Sequence, residues 1–294
     1  MKLIIDAMGG DNAPLEIVKG ALSGQKRWGV DVTLTGDTTA ILQALEACGE
    51  KTLPQGMEIV HTTETVEMCD DPATVFRRKK DTSMGVGLTM LRDGRADAMV
   101  SAGSTGALLT GATLIVKRIR GIRRAAMAPV IPTTTGQAVL IDCGANAECT
   151  PEYLVQFAYL GSYYAHRVLG VERPRVGLLN IGTEDSKGTD LQKETLRWLR
   201  EAHTAGHLNF IGNIEAKEAI KGGCDVIVCD GFSGNVLLKT MEGVGSFAGS
   251  ALKAMFKKNL LTKLAALCVM PGLNAFKAKL DPNKVGGTAF IGIS

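Results

Sequence analysis

Residues 139–146, Val-Leu-Ile-Asp-Cys-Gly-Ala-Asn, decide the fold, because an apolar run ends on an acidic residue and passes directly into a loop of glycine and small polar residues. Residues 3–12, 98–106, 176–188 and 226–235 repeat this design. In open α/β sheets, ligands bind at the loops that follow the carboxyl ends of parallel strands. The sequence therefore predicts one crevice, shared by these strand tips, that is rich in amide donors and poor in metal ligands.

Segments typical of strands alternate with segments typical of helices along the chain. The predicted strands are residues 2–6, 31–35, 58–61, 97–101, 127–131, 138–142, 175–180, 208–212, 225–230 and 288–292. The predicted helices are residues 14–27, 38–47, 83–93, 104–117, 151–169, 190–202 and 214–219. This alternation predicts an α/β fold with three layers, α/β/α, around a mostly parallel, doubly wound sheet.

Composition and charge argue against several classes of protein. The chain of 294 residues is 45% hydrophobic and 21% charged with a net charge of +3, which is ordinary for a globular protein and predicts no nucleic-acid partner. Its seven cysteines form no Cys-x-x-Cys pair and stand beside only four histidines, so we expect reduced thiols, a cytoplasmic location and no bound metal. We expect no signal peptide, because the sequence begins directly with a predicted strand, and no membrane span, because no apolar run reaches about 18 residues.

The chain is expected to form a single domain over residues 1–294, because no linker divides it. We also expect this domain to continue beyond Ser294. A doubly wound sheet normally covers its last strand, here residues 288–293, with a further helix.

Residues 243–280 depart from the α/β pattern, since they contain six lysines and no acidic residue. Apolar residues lie between the lysines and Pro271-Gly272 interrupts the stretch, which predicts an amphipathic helical hairpin over residues 243–283. Such a hairpin fits an anionic membrane surface, an acidic protein partner, or a lysine-solvated helical pair packed on the core or on a second subunit. The residues expected on this surface are Lys253, Phe256, Lys257, Lys258, Leu260, Lys263 and Leu264.

Two of the glycine loops are candidate anion sites. Gly9 and Gly10 precede a predicted helix, so their N–H groups would meet an anion at a helix N-terminus, or the glycines would only permit a tight turn. Ser104, Thr105 and Gly106 would form a phosphate cradle, or Ser104 would only cap the helix that follows. The sequence leaves both alternatives open for each loop.

Two side chains are candidates for stabilising charge on a substrate. Lys187 would hold a phosphate or polarise a carbonyl, and its alternative is a solvated charged turn. Asn235 would donate its amide to an oxyanion, or it would cap a helix. Asp6, Asp142 and Asp230 each end a strand, and they would order the neighbouring loop amides, which we favour, or bind Mg²⁺.

Taken together, these motifs resemble the PlsX family of bacterial phosphate acyltransferases over essentially the whole chain. The resemblance rests on residues 6–11, 101–107, 141–146, 177–182, 186–188 and 230–235. The family usually has Asn where this chain has Ser104, and Ala-Pro-Leu-Leu-Gly where this chain has residues 288–292. The family's fold is similar to that of phosphotransacetylases and isocitrate dehydrogenases, and this chain is expected to share it.

The resemblance implies that fatty acyl-acyl carrier protein and inorganic phosphate give acyl phosphate and the free carrier protein, without a cofactor. Phosphate is itself the nucleophile, so the site has to orient phosphate and stabilise charge on the carbonyl oxygen. Lys187 and Asn235 would be the catalytic residues. Substrate-binding roles would fall on Asp6, Gly9, Gly10, Ser104, Thr105, Gly106, Asp142, Asn146, Asn180, Gly182, Asp230 and Gly234.

The resemblance also implies a homodimer that is cytoplasmic and peripherally associated with the membrane. Its partners would be acyl carrier protein, inorganic phosphate and PlsY, the glycerol-3-phosphate acyltransferase that would act downstream in phospholipid synthesis.

Three other functions are less consistent with the sequence. A phosphotransacetylase acting on coenzyme A and short acyl groups would not need the apolar, basic surface of residues 243–283. A metal- and nicotinamide-dependent decarboxylating dehydrogenase would need clustered aspartates and arginine clamps, which the sequence lacks. A non-enzymatic membrane scaffold would leave the glycine loops without a role.

Overall fold

The computed structural model describes residues 1–259, 262, 266, 269, 270, 272 and 286–294. The chain divides into two compact units, of which the first comprises residues Met1–Gly121 with Ile293–Ser294 and the second Ile122–Gly292. Each unit has its own main sheet and its own apolar core. The single domain expected over residues 1–294 stays a prediction.

The first unit is built around four parallel strands. They are β1 (Lys2–Asp6), β2 (Asp31–Gly36), β3 (Met57–His61) and β4 (Ala98–Val100), in the spatial order β3-β2-β1-β4. The helices are α1 (Leu15–Trp28), α2 (Thr38–Ala47), α3 (Val75–Arg78), α4 (Ser83–Arg92) and α5 (Thr105–Gly111), which continues as a π-helical turn over Ala112–Val116. Both faces of β1 are covered, because Leu3 and Ile5 pack with α1 and α2 while Ile4 lies against Gly87 of α4.

The second unit contains a larger sheet. Its strands are β5 (Ala126–Ala128), β6 (Val130–Pro132), β7 (Gln137–Ile141), β8 (Val176–Leu179), β9 (Phe210–Ile214), β10 (Val226–Val228) and β11 (Ala289–Ile291). Its helices are α6 (Pro151–Leu169), α7 (Asp190–Thr204), α8 (Ala216–Ile220) and α9 (Gly231–Lys257). The main sheet has the order β6-β7-β10-β8-β9 and is parallel except for β6, while β11 pairs antiparallel with β5.

The central strands of the second unit are apolar on both faces, as buried parallel strands must be. Val139 and Ile141 pack with Phe157 of α6, whereas Leu140 shares a cluster with Leu237 of α9. Helices therefore cover both faces of the main sheet in each unit. This arrangement confirms the predicted α/β/α class with mostly parallel strands, which are divided between two main sheets.

Local signals explain why several predicted boundaries are correct. Asp37 begins α2, since its carboxylate accepts a hydrogen bond of 2.7 Å from the Ala40 N–H. Pro151 begins α6 and Gly170, with φ of 70°, ends it. The strand predicted over residues 127–131 is instead two strands, because Pro129 separates β5 from β6 and has no N–H to donate.

The largest correction concerns α9, which runs without interruption from Gly231 to Lys257. Residues 231–235, predicted as a strand-tip loop, are its first turn. Lys253, Phe256 and Lys257 lie on this helix and Lys258 follows it. The other predicted surface residues, Leu260, Lys263 and Leu264, lie outside the described residues, so the helical hairpin over residues 243–283 stays a prediction.

Within the described part of the chain, no helix combines the length and the apolar character needed to cross a membrane.

Candidate functional site

The tips of β1 and β4 meet in the first unit around the buried carboxylate of Asp6. The Ser101 hydroxyl donates to Asp6 Oδ2 at 2.7 Å, and the Gly103 N–H donates to Ser101 Oγ at 3.1 Å. A Cβ at Gly9 would lie 2.6 Å from Asp6 Oδ2 and 2.9 Å from Gly103 N, so glycine is needed for this close approach. We name Asp6, Gly9, Gly10, Ser101 and Gly103 the Asp6 cluster.

The start of α5 follows the tip of β4. Ser104 is buried and its Oγ accepts a hydrogen bond of 3.4 Å from the Ala107 N–H, so its hydroxyl caps the helix. Thr105 and Gly106 are exposed at the first helical positions. Of its two expected roles, Ser104 therefore adopts that of a helix cap. In the predicted phosphate cradle, the accessible residues are Thr105 and Gly106.

In the second unit, Asp142 organises the loop that follows β7. Its carboxylate is fully buried. Oδ1 accepts hydrogen bonds from the backbone N–H groups of Met127, Cys143 and Ala145 at 2.7–3.2 Å. Oδ2 accepts from the backbone and side-chain nitrogens of Asn146 at 2.6 and 2.9 Å. The Asp142 carboxylate therefore binds the N–H groups of the loop, which is the first of the two roles expected for it.

The N-terminus of α9 packs directly on this loop. Asp230 caps the helix, accepting from the Ser233 N–H at 2.8 Å, and the Gly231 N–H donates to the Asn146 carbonyl at 2.8 Å. A Cβ at Gly234 would lie only 2.0 Å from the Asp142 carbonyl oxygen. Asp142, Asn146, Asp230, Gly231 and Gly234 form what we name the Asp142 cluster.

Asn235 is exposed at the edge of the Asp142 cluster. A Cβ at Gly144 would lie 3.9 Å from Asn235 Cβ, which places Asn235 beside the glycine of the β7 loop. Asp230, not Asn235, supplies the helix cap. The amide of Asn235 makes no hydrogen bond within the described residues, so its donor is available to a ligand.

Burial controls the ionisation of this cluster. It raises the pKa of the Asp142 carboxyl above its ordinary value, and the N–H donors of Met127 and Asn146 act in the opposite direction. Burial also raises the pKa of the Cys143 and Cys149 thiols to about 12 and that of Cys229 well above 9. These thiols are neutral near pH 7, so none of them is an activated nucleophile.

Residues 180–188, which follow β8, form the Lys187 loop. The Asn180 side chain closes it at both ends, since Oδ1 accepts from the Ile181 N–H at 2.8 Å and Nδ2 donates to the Lys187 carbonyl at 3.2 Å. Asp185 forms two hydrogen bonds with the guanidinium of Arg200 on α7, which lowers the pKa of its carboxyl. The loop is therefore held on several sides.

Lys187 projects from this braced loop. Its stem passes over the buried Gly182, where a Cβ would lie 2.9 Å from Lys187 Cγ. The ammonium is exposed and has no hydrogen bond or ion pair within the described part of the chain. A cation held on a rigid loop without a protein partner is suited to binding an anion or a developing negative charge.

The structure brings the predicted residues together in groups. Asp6, Gly9 and Gly10 are joined to the β4 tip, and Asp142, Asn146, Asp230 and Gly234 are joined at the β7 and β10 tips. The Lys187 loop, with Asn180 and Gly182, follows the strand next to β10, so parallel pairing places it at the same edge of the sheet. One crevice shared by all five tips stays a prediction.

Four supporting residues were not predicted from the sequence: Ser101, Arg200, Asn213 and Gly231. Ser101 donates a hydrogen bond to Asp6, and the Asn213 amide donates to the Glu184 carbonyl at 3.1 Å. Asn213 directly follows the strand predicted over residues 208–212, and this strand-tip position was the available signal.

Metal binding has no support from the described residues. The carboxylates of Asp6, Asp142 and Asp230 accept N–H or O–H donors. No group of three or more His, Cys, Asp or Glu side chains in the described part of the chain is arranged to hold a metal ion.

Two solved structures show the same fold. A phosphotransacetylase from Streptococcus pyogenes superposes with a TM-score of 0.65 at 19% sequence identity, covering 84% of this chain and 82% of its own. The EutD phosphotransacetylase from Staphylococcus aureus superposes with a TM-score of 0.61 at 18% identity, with the same coverage. The predicted phosphotransacetylase-like fold is confirmed.

Sequence comparison gives the family. A phosphate acyltransferase of Alkaliphilus oremlandii is 46% identical over 293 residues, covering 100% of this chain and 86% of the relative. A phosphate acyltransferase of Brevibacillus brevis is 45% identical over 295 residues with the same coverage. The family model described as fatty acid synthesis protein matches residues 1–294. The chain therefore belongs to the PlsX family of phosphate acyltransferases.

Proposed function

We propose that the chain transfers a fatty acyl group from acyl carrier protein to inorganic phosphate. A phosphate oxygen attacks the thioester carbonyl, the C–S bond breaks, and the products are acyl phosphate and the carrier thiol, which takes up a proton. The family supports acyl transfer to phosphate, and the choice of acyl carrier protein as donor belongs to the proposal.

The observation that carries this proposal is the free ammonium of Lys187 on a braced loop. Inorganic phosphate needs no activation as a nucleophile, so the protein has to position it and to stabilise the oxyanion. Lys187 supplies the positive charge, and Asn235 supplies an amide donor beside the Asp142 cluster. The neutral buried thiols are consistent with direct attack by phosphate, without an acyl-enzyme intermediate.

The proposal is tested by release of carrier thiol from palmitoyl-acyl carrier protein with and without inorganic phosphate. Acetyl-coenzyme A is assayed in parallel. We expect phosphate-dependent release from the carrier substrate and much slower turnover of acetyl-coenzyme A. Turnover of acetyl-coenzyme A alone would favour a phosphotransacetylase, and inactivity with both substrates would contradict acyl transfer.

Asn235→Ala should lower kcat for this reaction by about a hundredfold, because it removes one preorganised donor to the oxyanion. The melting temperature should not change, since Asn235 is exposed and its amide has no partner within the described residues. Thr240→Ala, at an exposed polar position in the first half of α9, is the matched control and should retain full activity. A kcat for Asn235→Ala within a few-fold of wild type would remove Asn235 from the mechanism.

The second half of α9 supports a peripheral contact with an anionic bilayer or with the acidic carrier. Val244, Phe247 and Met255 are 60%, 75% and 52% exposed, and Lys253 and Lys257 are exposed on the same half of the helix. We propose that this surface, as part of a homodimer, holds the enzyme at the cytoplasmic membrane, where acyl phosphate passes to PlsY.

Reversing three charges tests this surface. The triple variant Lys253→Glu/Lys257→Glu/Lys258→Glu should bind anionic phospholipid vesicles at least a hundredfold more weakly, since each lysine near such a surface contributes about 1 kcal/mol. The control reverses Lys193, Lys217 and Lys221, which are exposed elsewhere in the second unit and change the net charge equally. An equal loss of vesicle binding in the two triple variants would contradict a local contact at Lys253, Lys257 and Lys258.

A further inference from the structure

Asn213 lies on β9 immediately after an irregularity in the strand. Val176 pairs with Phe210, but the next residue of β8, Gly177, pairs with Gly212, so Ile211 is an extra residue in β9. Gly212 has φ of 99°, a backbone conformation that favours glycine. Bulges redirect the side chains that follow them, and Asn213 is only 8% exposed while Ile211 is 43% exposed.

The amide of Asn213 is bonded to the turn that carries Lys187. Its Nδ2 donates to the Glu184 carbonyl at 3.1 Å, and the same carbonyl accepts the Lys187 N–H at 3.1 Å. The orientation of this amide follows from chemistry, since a carbonyl oxygen only accepts hydrogen bonds. One carbonyl therefore joins β9, the Lys187 backbone and the loop.

The other end of the amide has no protein donor among the described residues. Asn213 Oδ1 is buried and accepts no hydrogen bond from them. A buried acceptor without a partner is unfavourable, and a leucine of the same branched shape would not carry this cost. The contribution of Asn213 therefore lies in the bond that its nitrogen makes to the Lys187 turn.

We propose that Asn213 is a positioning residue for acyl transfer, acting through the Glu184 carbonyl to hold Lys187 in its reactive place. This inference rests on the proposed function of Lys187. Asn213 does not touch substrate. It fixes the backbone from which the ammonium extends, so its loss changes kcat more than the KM for the carrier substrate.

Asn213→Asp tests this role, because it keeps the size of the side chain and replaces the donor by an acceptor that faces the Glu184 oxygen. We expect kcat to fall at least tenfold with KM for acyl carrier protein changed less than twofold. Asn209→Asp is the matched control, since Asn209 also donates to a backbone carbonyl, that of Arg173 at 3.2 Å, away from the loop. Equal kcat in the two variants would overturn the proposal.

A double-mutant cycle separates positioning from a general loss of structure. In the Lys187→Ala background, Asn213→Asp should cause no further loss of kcat, because its effect passes through Lys187. A further tenfold loss there would overturn the proposal. If Asn213→Asp fails to fold, Asn213→Leu replaces it, with an expected melting temperature at or above that of wild type and the same loss of kcat. An unchanged kcat in Asn213→Leu would overturn the proposal.

Hydrogen exchange gives a test that does not depend on activity. The Lys187 amide should exchange at least tenfold faster in Asn213→Asp than in wild type, while the control Asn209→Asp leaves it unchanged. If wild type shows no phosphate-dependent transfer, the proposed function fails, but this exchange rate still decides whether Asn213 holds the turn. An unchanged exchange rate in Asn213→Asp would overturn the positioning role.

Discussion

Replacing Lys187 with alanine should lower kcat for phosphate-dependent release of carrier thiol by roughly a thousandfold, the upper range for loss of one preorganised charge-stabilising group. The ammonium has no partner within the described residues, so its removal breaks no internal bond. The melting temperature should therefore match that of wild type. An activity loss without a stability loss is the signature of a group that acts on substrate.

Two variants sharpen this result. Lys193→Ala, which removes an exposed lysine from α7 in the same unit, should leave kcat unchanged. Lys187→Arg should restore part of the activity, because it keeps the charge but changes its shape and reach. A kcat within a few-fold of wild type for Lys187→Ala would remove Lys187 from the catalytic machinery.

Much of the architecture follows from local sequence. The bounds of β1, α2 and α6 are as predicted, because each has a strong local signal: an apolar run that ends on Asp6, a cap at Asp37, and Pro151 at the first position of a long amphipathic segment. The loops after β1, β4, β7 and β8 were also identified by their glycines. Parallel strands with both faces buried leave little ambiguity in such patterns.

Local sequence does not predict the start of α9, because tertiary contacts determine where this helix begins. Two glycines within residues 231–235 favour a loop by local propensity. Here they are helical, since Gly231 lies against the Asn146 carbonyl and Gly234 lies against that of Asp142, where no side chain fits. Helix propensity yields to a close approach of two backbone segments that are distant in sequence.

The supporting residues of the site were hidden for the same reason. Asn213 reaches the Lys187 loop only because of the bulge between β8 and β9, which depends on the pairing of two strands. Arg200 reaches Asp185 because α7 packs beside the loop. Chemistry-bearing groups such as Lys187 are visible in sequence, whereas the residues that hold them in place depend on long-range contacts.

The Asp142 cluster also changes what the glycine-rich tips supply. The N–H groups of Cys143, Ala145 and Asn146 are directed at the Asp142 carboxylate and so are not donors for a ligand. The rigidity of the loop, rather than its free amides, is then its contribution. Side chains at its edge, such as the exposed Asn235, remain accessible to a ligand.

Gly234→Ala should destabilise the protein by about 3 kcal/mol, because its Cβ would lie 2.0 Å from the Asp142 carbonyl oxygen and 2.9 Å from Cys229 Sγ. The first of these atoms is backbone, held in the loop whose amides surround the Asp142 carboxylate, so it cannot move aside without disturbing that loop. For a chain of this size the melting temperature should fall by roughly 6–12 °C.

The same substitution elsewhere on α9 separates sterics from propensity. Nothing lies within 4 Å of a Cβ at Gly243, so Gly243→Ala should leave the melting temperature unchanged or raise it, as alanine is the better helix former by up to about 1 kcal/mol. Thermal unfolding of both variants followed by circular dichroism decides the matter. If the two variants have the same melting temperature, the packing of α9 on the Asp142 loop does not anchor the site.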